Sequence, residues 1–170
     1  MKTMKNAIIF AALISLTFIS CKKNDSPSCS YPTSAAIATS TEISFLQTHV
    51  STNSINALQH QSGVFYTLSS PGTGSSPSVC SNITVKYTGR VLGGSVFDSN
   101  TSASGVRFVL GDLILGWQRV LPLLKEGGSI TLFVPPSLGY GSAPISNSAG
   151  VVIIPANSYL RFDIELLDVI

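Results

Sequence analysis

The clearest hydrophobic alternation lies near the C-terminal end, where Leu160, Phe162, Ile164 and Leu166 are separated by Arg161, Asp163 and Glu165. A period of two puts one row of side chains against a core and the other in water, the signature of a half-buried strand. Ile83, Val85 and Tyr87 repeat the pattern against Thr84, Lys86 and Thr88. Ile130, Leu132 and Val134 repeat it against Ser129, Thr131 and Phe133, until Pro135-Pro136 stops the run. Val106, Phe108 and Leu110 give a shorter alternation ending at Gly111. Val64 to Leu68 reads as a further strand closed by Ser69-Ser70-Pro71-Gly72, with a Gly/Ser/Pro loop from Pro71 to Pro77. Val96-Phe97-Asp98 resumes the sheet after Gly93-Gly94, a pair that permits a turn with unusual backbone angles.

Helical periodicity occurs twice. Leu113 to Leu121 carries Trp117 and Val120 three apart, and Pro122 with Gly127-Gly128 limits its length. Further upstream, Thr39 and Glu42 have capping-box spacing, and Ile43, Leu46 and Val50 share one face. That helix is marginal in isolation, so it is expected to pack on the main domain, with dimerisation as the alternative. Residues 137–157, rich in Gly, Ser, Ala and Pro, read as a long loop. Several antiparallel strands with one short helix to cover a sheet face define an α+β fold.

The chain opens differently. Lys2 and Lys5 precede an apolar run from Ala7 to Ser20, about 14 residues, which is shorter than the ~20 needed to span a bilayer. Cys21 follows, then Lys22, Lys23, Asn24 and Asp25. This order resembles a bacterial lipoprotein signal, with Phe18 where such signals usually carry Leu. The resemblance implies cleavage before Cys21 and its lipidation, which would hold the remainder at a membrane surface. The expected organisation is a signal segment over 1–20, a flexible tether over 21–38, a helical segment over 39–62 and the main domain over 63–170.

Charge narrows the function classes. Ten Lys plus Arg face eight Asp plus Glu, and loss of Lys2 and Lys5 leaves eight against eight. A neutral chain with 11% charged residues has no electrostatic footprint for nucleic acid. Its partners are expected to be apolar or peptide-like. Cys29 and Cys80 remain as an even pair, a disulfide candidate in an exported protein, the alternative being two free thiols. His49 and His60 have no neighbouring ligand pair and read as solvated or packing residues. No metal site is expected.

One ordered set of motifs stands out over residues 63–170. It runs Val85-Lys86-Tyr87-Thr88-Gly89, Phe97-Asp98-Ser99, Phe108-Val109-Leu110-Gly111, Ile114-Leu115-Gly116-Trp117, Pro135-Pro136-Ser137-Leu138-Gly139-Tyr140-Gly141, Ile154-Pro155 and Phe162-Asp163-Ile164-Glu165-Leu166. In this order it resembles the FKBP-type peptidyl-prolyl cis–trans isomerases. The resemblance implies a bent antiparallel sheet wrapped on one short helix, with a pocket between them. By position, Trp117 would floor that pocket and Tyr87, Phe97 and Phe162 would wall it. Leu113 and Ile114 would line its helical entrance, with the Ile114 N–H and the Tyr140 hydroxyl offered to substrate carbonyls and Asp98 at the rim. Val106 takes the place of a common pocket aromatic, and Ile153 and Ile154 would add to the substrate-binding wall. The stretch 142–152 is expected to overhang the site and select among peptides. The implied reaction is rotation about X–Pro bonds of exported proteins, outside the cytoplasm, at the outer membrane or the periplasmic face, without a cofactor. A proline-peptide-binding module or chaperone without turnover is the alternative.

Overall fold

The computed structural model describes residues 29–32 and 34–170. The signal segment and Cys21 lie outside the described residues. The elements, in chain order, are α1 (Ser40–Thr52), β1 (Leu58–Gln59), β2 (Phe65–Ser70), β3 (Asn82–Val91), β4 (Val96–Asn100), β5 (Val106–Val109), α2 (Leu115–Val120), β6 (Ser129–Val134), β7 (Ile145–Ser146), β8 (Val152–Ile154) and β9 (Leu160–Val169). The main sheet is antiparallel, in the order β1-β2-β6-β9-β3-β4. Strand β3 organises it. One edge pairs along its length with β9, from Ile83↔Val169 to Val91↔Leu160. The other edge is divided: Asn82 to Val85 pair with β5, and Tyr87 to Arg90 pair with β4.

The period-two residues supply the core. Ile83, Val85, Ile130, Leu132, Val134, Leu160, Phe162, Ile164 and Leu166 are buried, and pack with Trp117, Val120, Leu121 and Leu124 from the helical layer. Helix α2 is shorter than the expected span. It begins after Ile114, whose extended backbone (φ −59°, ψ 150°) caps it, and Pro122 turns the chain into a single 3₁₀ turn over Leu121–Leu123. At Gly116 the helix touches the sheet, and a Cβ there would lie 2.6 Å from Val134 Cγ1. Gly116→Ala sets an overpacking cost of about 1–3 kcal/mol against a helix-propensity gain of about 1 kcal/mol. A net loss of about 1 kcal/mol is expected, read as a melting point lower by roughly 2–4 °C.

The sheet is also covered on its outer face. Phe65 and Phe133 point away from α2, and both are buried under Leu46 and Val50 of α1. Phe133 is thus the polar-row position of an alternating strand occupied by an aromatic, because a second apolar layer exists there. Thr39 and Glu42 form the expected capping box. Glu42 reaches further, accepting hydrogen bonds from the Ser137 N–H (2.9 Å) and the Ser137 hydroxyl (2.8 Å). Burial alone would raise its pKa, but the donors from Thr39 and Ser137 outweigh that and hold its carboxyl below the usual range.

Two segments differ from expectation. From Cys29 on, the supposed tether is held to the domain. Cys29 is disulfide-bonded to Cys80, their Cα atoms 5.7 Å apart. The Tyr31 hydroxyl donates to Asp112 Oδ1 (2.8 Å), its ring lies against Gly111, and Ala38 is 4% exposed. Within the loop over 137–157, β7 and β8 pair as a small hairpin. Asn147 Oδ1 accepts from the Ala149 and Val151 N–H groups and Gly150 takes φ +78°, the local chemistry that reverses the chain. Elements of two or three residues are too short to show a period.

Candidate functional site

Four strands and one helix converge on a cavity of about 240 Å³. Its lining comes from Tyr87 (β3), Phe97 and Asp98 (β4), Phe108 (β5), Leu113 and Ile114 before α2, Trp117 on α2, Tyr140, and Phe162 on β9. Trp117 and Phe162 are each 3% exposed, the most buried of the lining side chains. The rings meet edge to face. Trp117 stands 5.3 Å from Phe162 and 5.6 Å from Tyr87, Phe97 stands 5.8 Å from Phe162 and 6.3 Å from Tyr140, and each pair lies between 83° and 88°. This geometry sets the positive edge of one ring on the negative face of the next, fixing each wall by its neighbour.

Backbone choices make the arrangement possible. At Gly89 a Cβ would lie 2.8 Å from both Phe97 and Phe162, so the missing side chain leaves those rings room to close the wall. The Gln118 side-chain amide donates to the carbonyls of Gly111 (2.9 Å) and Leu113 (2.7 Å), tying the entrance residues to the helix.

Polar groups are few and placed at the rim. The Tyr87 hydroxyl donates to Asp98 Oδ2 at 2.5 Å. Burial, then the Asp98 hydrogen bond and charge, pushes the Tyr87 phenol well above its ordinary pKa. Burial and the Asp98 charge push Tyr140 upward as well. Both are therefore neutral hydroxyls at physiological pH. Tyr140 is 39% exposed, and neither its hydroxyl nor the Ile114 N–H has a hydrogen-bond partner among the described residues. Two donors thus stand unspent at the mouth of an apolar hollow. Asp98→Asn removes the charge that raises both phenols. Spectroscopic titration of the tyrosines is expected to shift to lower pH in that variant, and an unmoved profile would contradict the coupling.

The structure brings together Tyr87, Phe97, Asp98, Leu113, Ile114, Trp117, Tyr140 and Phe162. Three expected members stand elsewhere. Val106 pairs with Val85 and packs into the core edge, and the cavity is met instead by Phe108, whose ring centroid lies 6.0 Å from Tyr87. Val106 and Phe108 share one face of β5; Phe108 pairs with Ile83, further from Tyr87 along β3 than the Val85 partner of Val106, and it is the longer ring that reaches the cavity. Ile154 is core, 2% exposed. Ile153, its opposite-facing neighbour on β8, turns outward into a second apolar groove with Val91, Val96, Phe97, Val152 and Pro155. The hairpin therefore flanks the cup beyond Phe97 and contributes nothing to its lining. A wider depression of about 470 Å³ crosses the outer sheet face. Its Lys86 and Glu165 are paired with each other and its Asp163 with Arg161, which leaves no converging reactive groups. Among the described residues no cluster of three or more His, Cys, Asp or Glu is placed to hold a metal.

A sheet bent over one short helix, with an indole at the bottom of an aromatic cup, defines a protein class, and sequence comparison names it. A family model described as FKBP-type peptidyl-prolyl cis-trans isomerase matches residues 74–167, more than half of the chain, and the chain belongs to that family. It is 44% identical over 110 residues to the FKBP-type peptidyl-prolyl cis-trans isomerase FkpA of Buchnera aphidicola subsp. Schizaphis graminum, a match covering 64% of this chain and 41% of the relative. The crystal structure of FkpA from Escherichia coli superposes with a TM-score of 0.63 at 33% identity, covering 76% of this chain and 57% of that one. A peptidyl-prolyl cis-trans isomerase structure from Pseudomonas syringae pv. tomato gives the same TM-score at 25% identity, covering 80% of this chain and 98% of that one. The chain spans about two-fifths of the length of the curated FkpA relatives it matches.

Proposed function

We propose that this protein catalyses cis–trans isomerisation of X–Pro bonds in exported polypeptides. The observation that carries the proposal is the aromatic cup floored by Trp117, with two unspent hydrogen-bond donors at its mouth. Amide resonance sets a barrier of about 18–20 kcal/mol to rotation, and X–Pro bonds interconvert in tens to hundreds of seconds. A twisted amide has lost that resonance and is less polar than the planar one. A pocket that excludes water therefore binds the twisted state better than the planar one, and each 1.4 kcal/mol of that difference gives about tenfold in rate.

In this reading Trp117, Phe162, Phe97 and Phe108 hold the proline ring. The Ile114 N–H and Tyr140 hydroxyl hold the flanking carbonyls, so that the segment beyond the proline turns against fixed points. Tyr87 fixes Asp98 at the rim, where its carboxylate faces the rotating amide. No covalent intermediate is needed. Neutral tyrosines suit these roles, because a phenolate cannot donate.

Lipidation at Cys21 would place the enzyme at a bacterial membrane outside the cytoplasm, and the Cys29–Cys80 bridge fits an oxidising compartment. No helix of the described residues is long and apolar enough to cross a membrane. Mass analysis of the mature N-terminus tests the anchor: a diacylated Cys21 is expected, and an unmodified residue 21 rejects it. The activity itself is tested by isomerisation of a short X–Pro peptide. The wild-type chain should exceed the uncatalysed rate by orders of magnitude, and Asp98→Asn should fall by about tenfold, the worth of a charge-assisted contact of ~1.5 kcal/mol. A wild-type rate equal to background would leave only a peptide-binding module.

A further inference from the structure

We infer that Arg119 and His60 form an oxyanion site, separate from the aromatic cup, that takes a phosphate-class group. The described residues contain four arginines, and three have carboxylate partners: Arg90 and Arg161 on Asp163, and Arg107 on Asp168. Arg119 is the exception. It makes no ion pair or hydrogen bond among the described residues, and its Nε is buried without a partner. It sits in the last turn of α2 and lines a hollow of about 250 Å³, whose other walls are Ser34 to Ile37 and His60 to Ser62. No Asp or Glu lines that hollow.

The remaining wall also offers donors. The Ser62 N–H donates to His60 Nδ1 (3.1 Å), which assigns the proton of the neutral ring to Nε2. The Ser62 hydroxyl donates to the same Nδ1 (2.8 Å), so it holds the ring and leaves Nε2–H as the imidazole's donor. Burial, and then the nearby Arg119 charge, lowers the His60 pKa, so the ring stands as a neutral N–H donor beside a cation. A guanidinium from α2, an imidazole from the turn after β1 and the Ser34 hydroxyl of the leader line one hollow from three different segments. That arrangement suits a tetrahedral oxyanion, which accepts from several directions and matches the guanidinium fork. At about 30 Å³ per water, the hollow has roughly eight water volumes of space, enough for a phosphate group. An anion here would neutralise the one arginine left unpaired, while the three paired ones need nothing.

The same chemistry is presented by free phosphate and by a phospholipid headgroup, and the leader that lines the hollow follows the Cys21 segment. The test therefore has two arms, both on the full chain with Cys21→Ser so that no acyl chain contributes. In the first, amide spectra are followed during titration with sodium phosphate at constant ionic strength, with chloride as control. Saturable shifts confined to 34–37, 60–62 and 119 are expected. Affinity should fall at least tenfold in Arg119→Gln, less in Arg119→Lys, and several-fold in His60→Gln, with circular dichroism showing each variant folded. In the second, co-sedimentation with phosphatidylglycerol vesicles is compared with phosphatidylcholine vesicles. Arg119-dependent retention on the anionic vesicles identifies a headgroup; phosphate binding without such retention identifies a soluble ion. No saturation in the first arm together with no retention in the second overturns the site. Shifts shared with chloride, or an unchanged affinity in Arg119→Gln, overturn it equally. The outcome is independent of isomerase activity, which reads the other cavity.

Discussion

Trp117→Ala is expected to bring X–Pro isomerisation down to within a few-fold of the uncatalysed rate, and to destabilise the domain by about 3–5 kcal/mol, the range for removing a buried large aromatic. The two effects share one cause. The indole is almost fully buried and stands edge to face with both Phe162 and Tyr87. Its loss removes the floor of the cup and the surface on which two walls are aligned. Since domains of this kind have a total stability of about 5–15 kcal/mol, activity must be read alongside urea unfolding.

Trp117→Phe separates the contributions. Trp117 Nε1 is buried without a partner, a condition that costs about 1–3 kcal/mol. Phenylalanine removes that donor while keeping an apolar ring, so its stability loss should be well below that of alanine and its activity well above. A Trp117→Ala protein that remains folded and keeps more than half the wild-type rate would disprove the role given to this residue. The chain has a single tryptophan, so its fluorescence also reports binding of proline peptides in the cup directly.

Reduction of Cys29–Cys80 is expected to lower stability by about 2–4 kcal/mol. The two residues are 51 apart in sequence, and closing a loop of that size in the unfolded chain is worth up to about 4 kcal/mol in the chain-entropy treatment. Reduction also frees the Tyr31 contact with Gly111 and Asp112. Urea unfolding with and without dithiothreitol, and of the Cys29→Ser/Cys80→Ser double variant, measures the effect. Coincident midpoints would show that the bridge adds nothing to the folded domain.

Much of this architecture could be read from residue order. The alternations around Ile83, Ile130 and Leu160 became β3, β6 and β9, because each strand has one buried face and the period is set by that burial. The cup was legible through its rings, which occupy fixed positions in an ordered set of motifs. Phe108 is not legible as a lining residue from register, because Val106 faces the same way and pairs nearer Tyr87; the length of the Phe108 ring decides which of the two reaches it. Ile153 and Ile154 cannot both line one wall, because successive side chains on a strand point oppositely: Ile154 enters the core and Ile153 a separate groove. Arg119 carries no local signal whatever. Its isolation emerges only when the partners of the other three arginines are known.

The hydrogen bonds from Ser137 to Glu42 have a practical consequence. They join the first turn of α1 to the turn that precedes Tyr140, while Leu46 and Val50 shield Phe133 on the reverse side of the sheet. A fragment trimmed to residues 74–167 would lose β2 and α1 together, bare Phe133 to solvent and let go of the turn that aims a rim hydroxyl. The packed unit therefore starts well upstream of the segment matched by the family model, and expression boundaries should be drawn at or before Cys29.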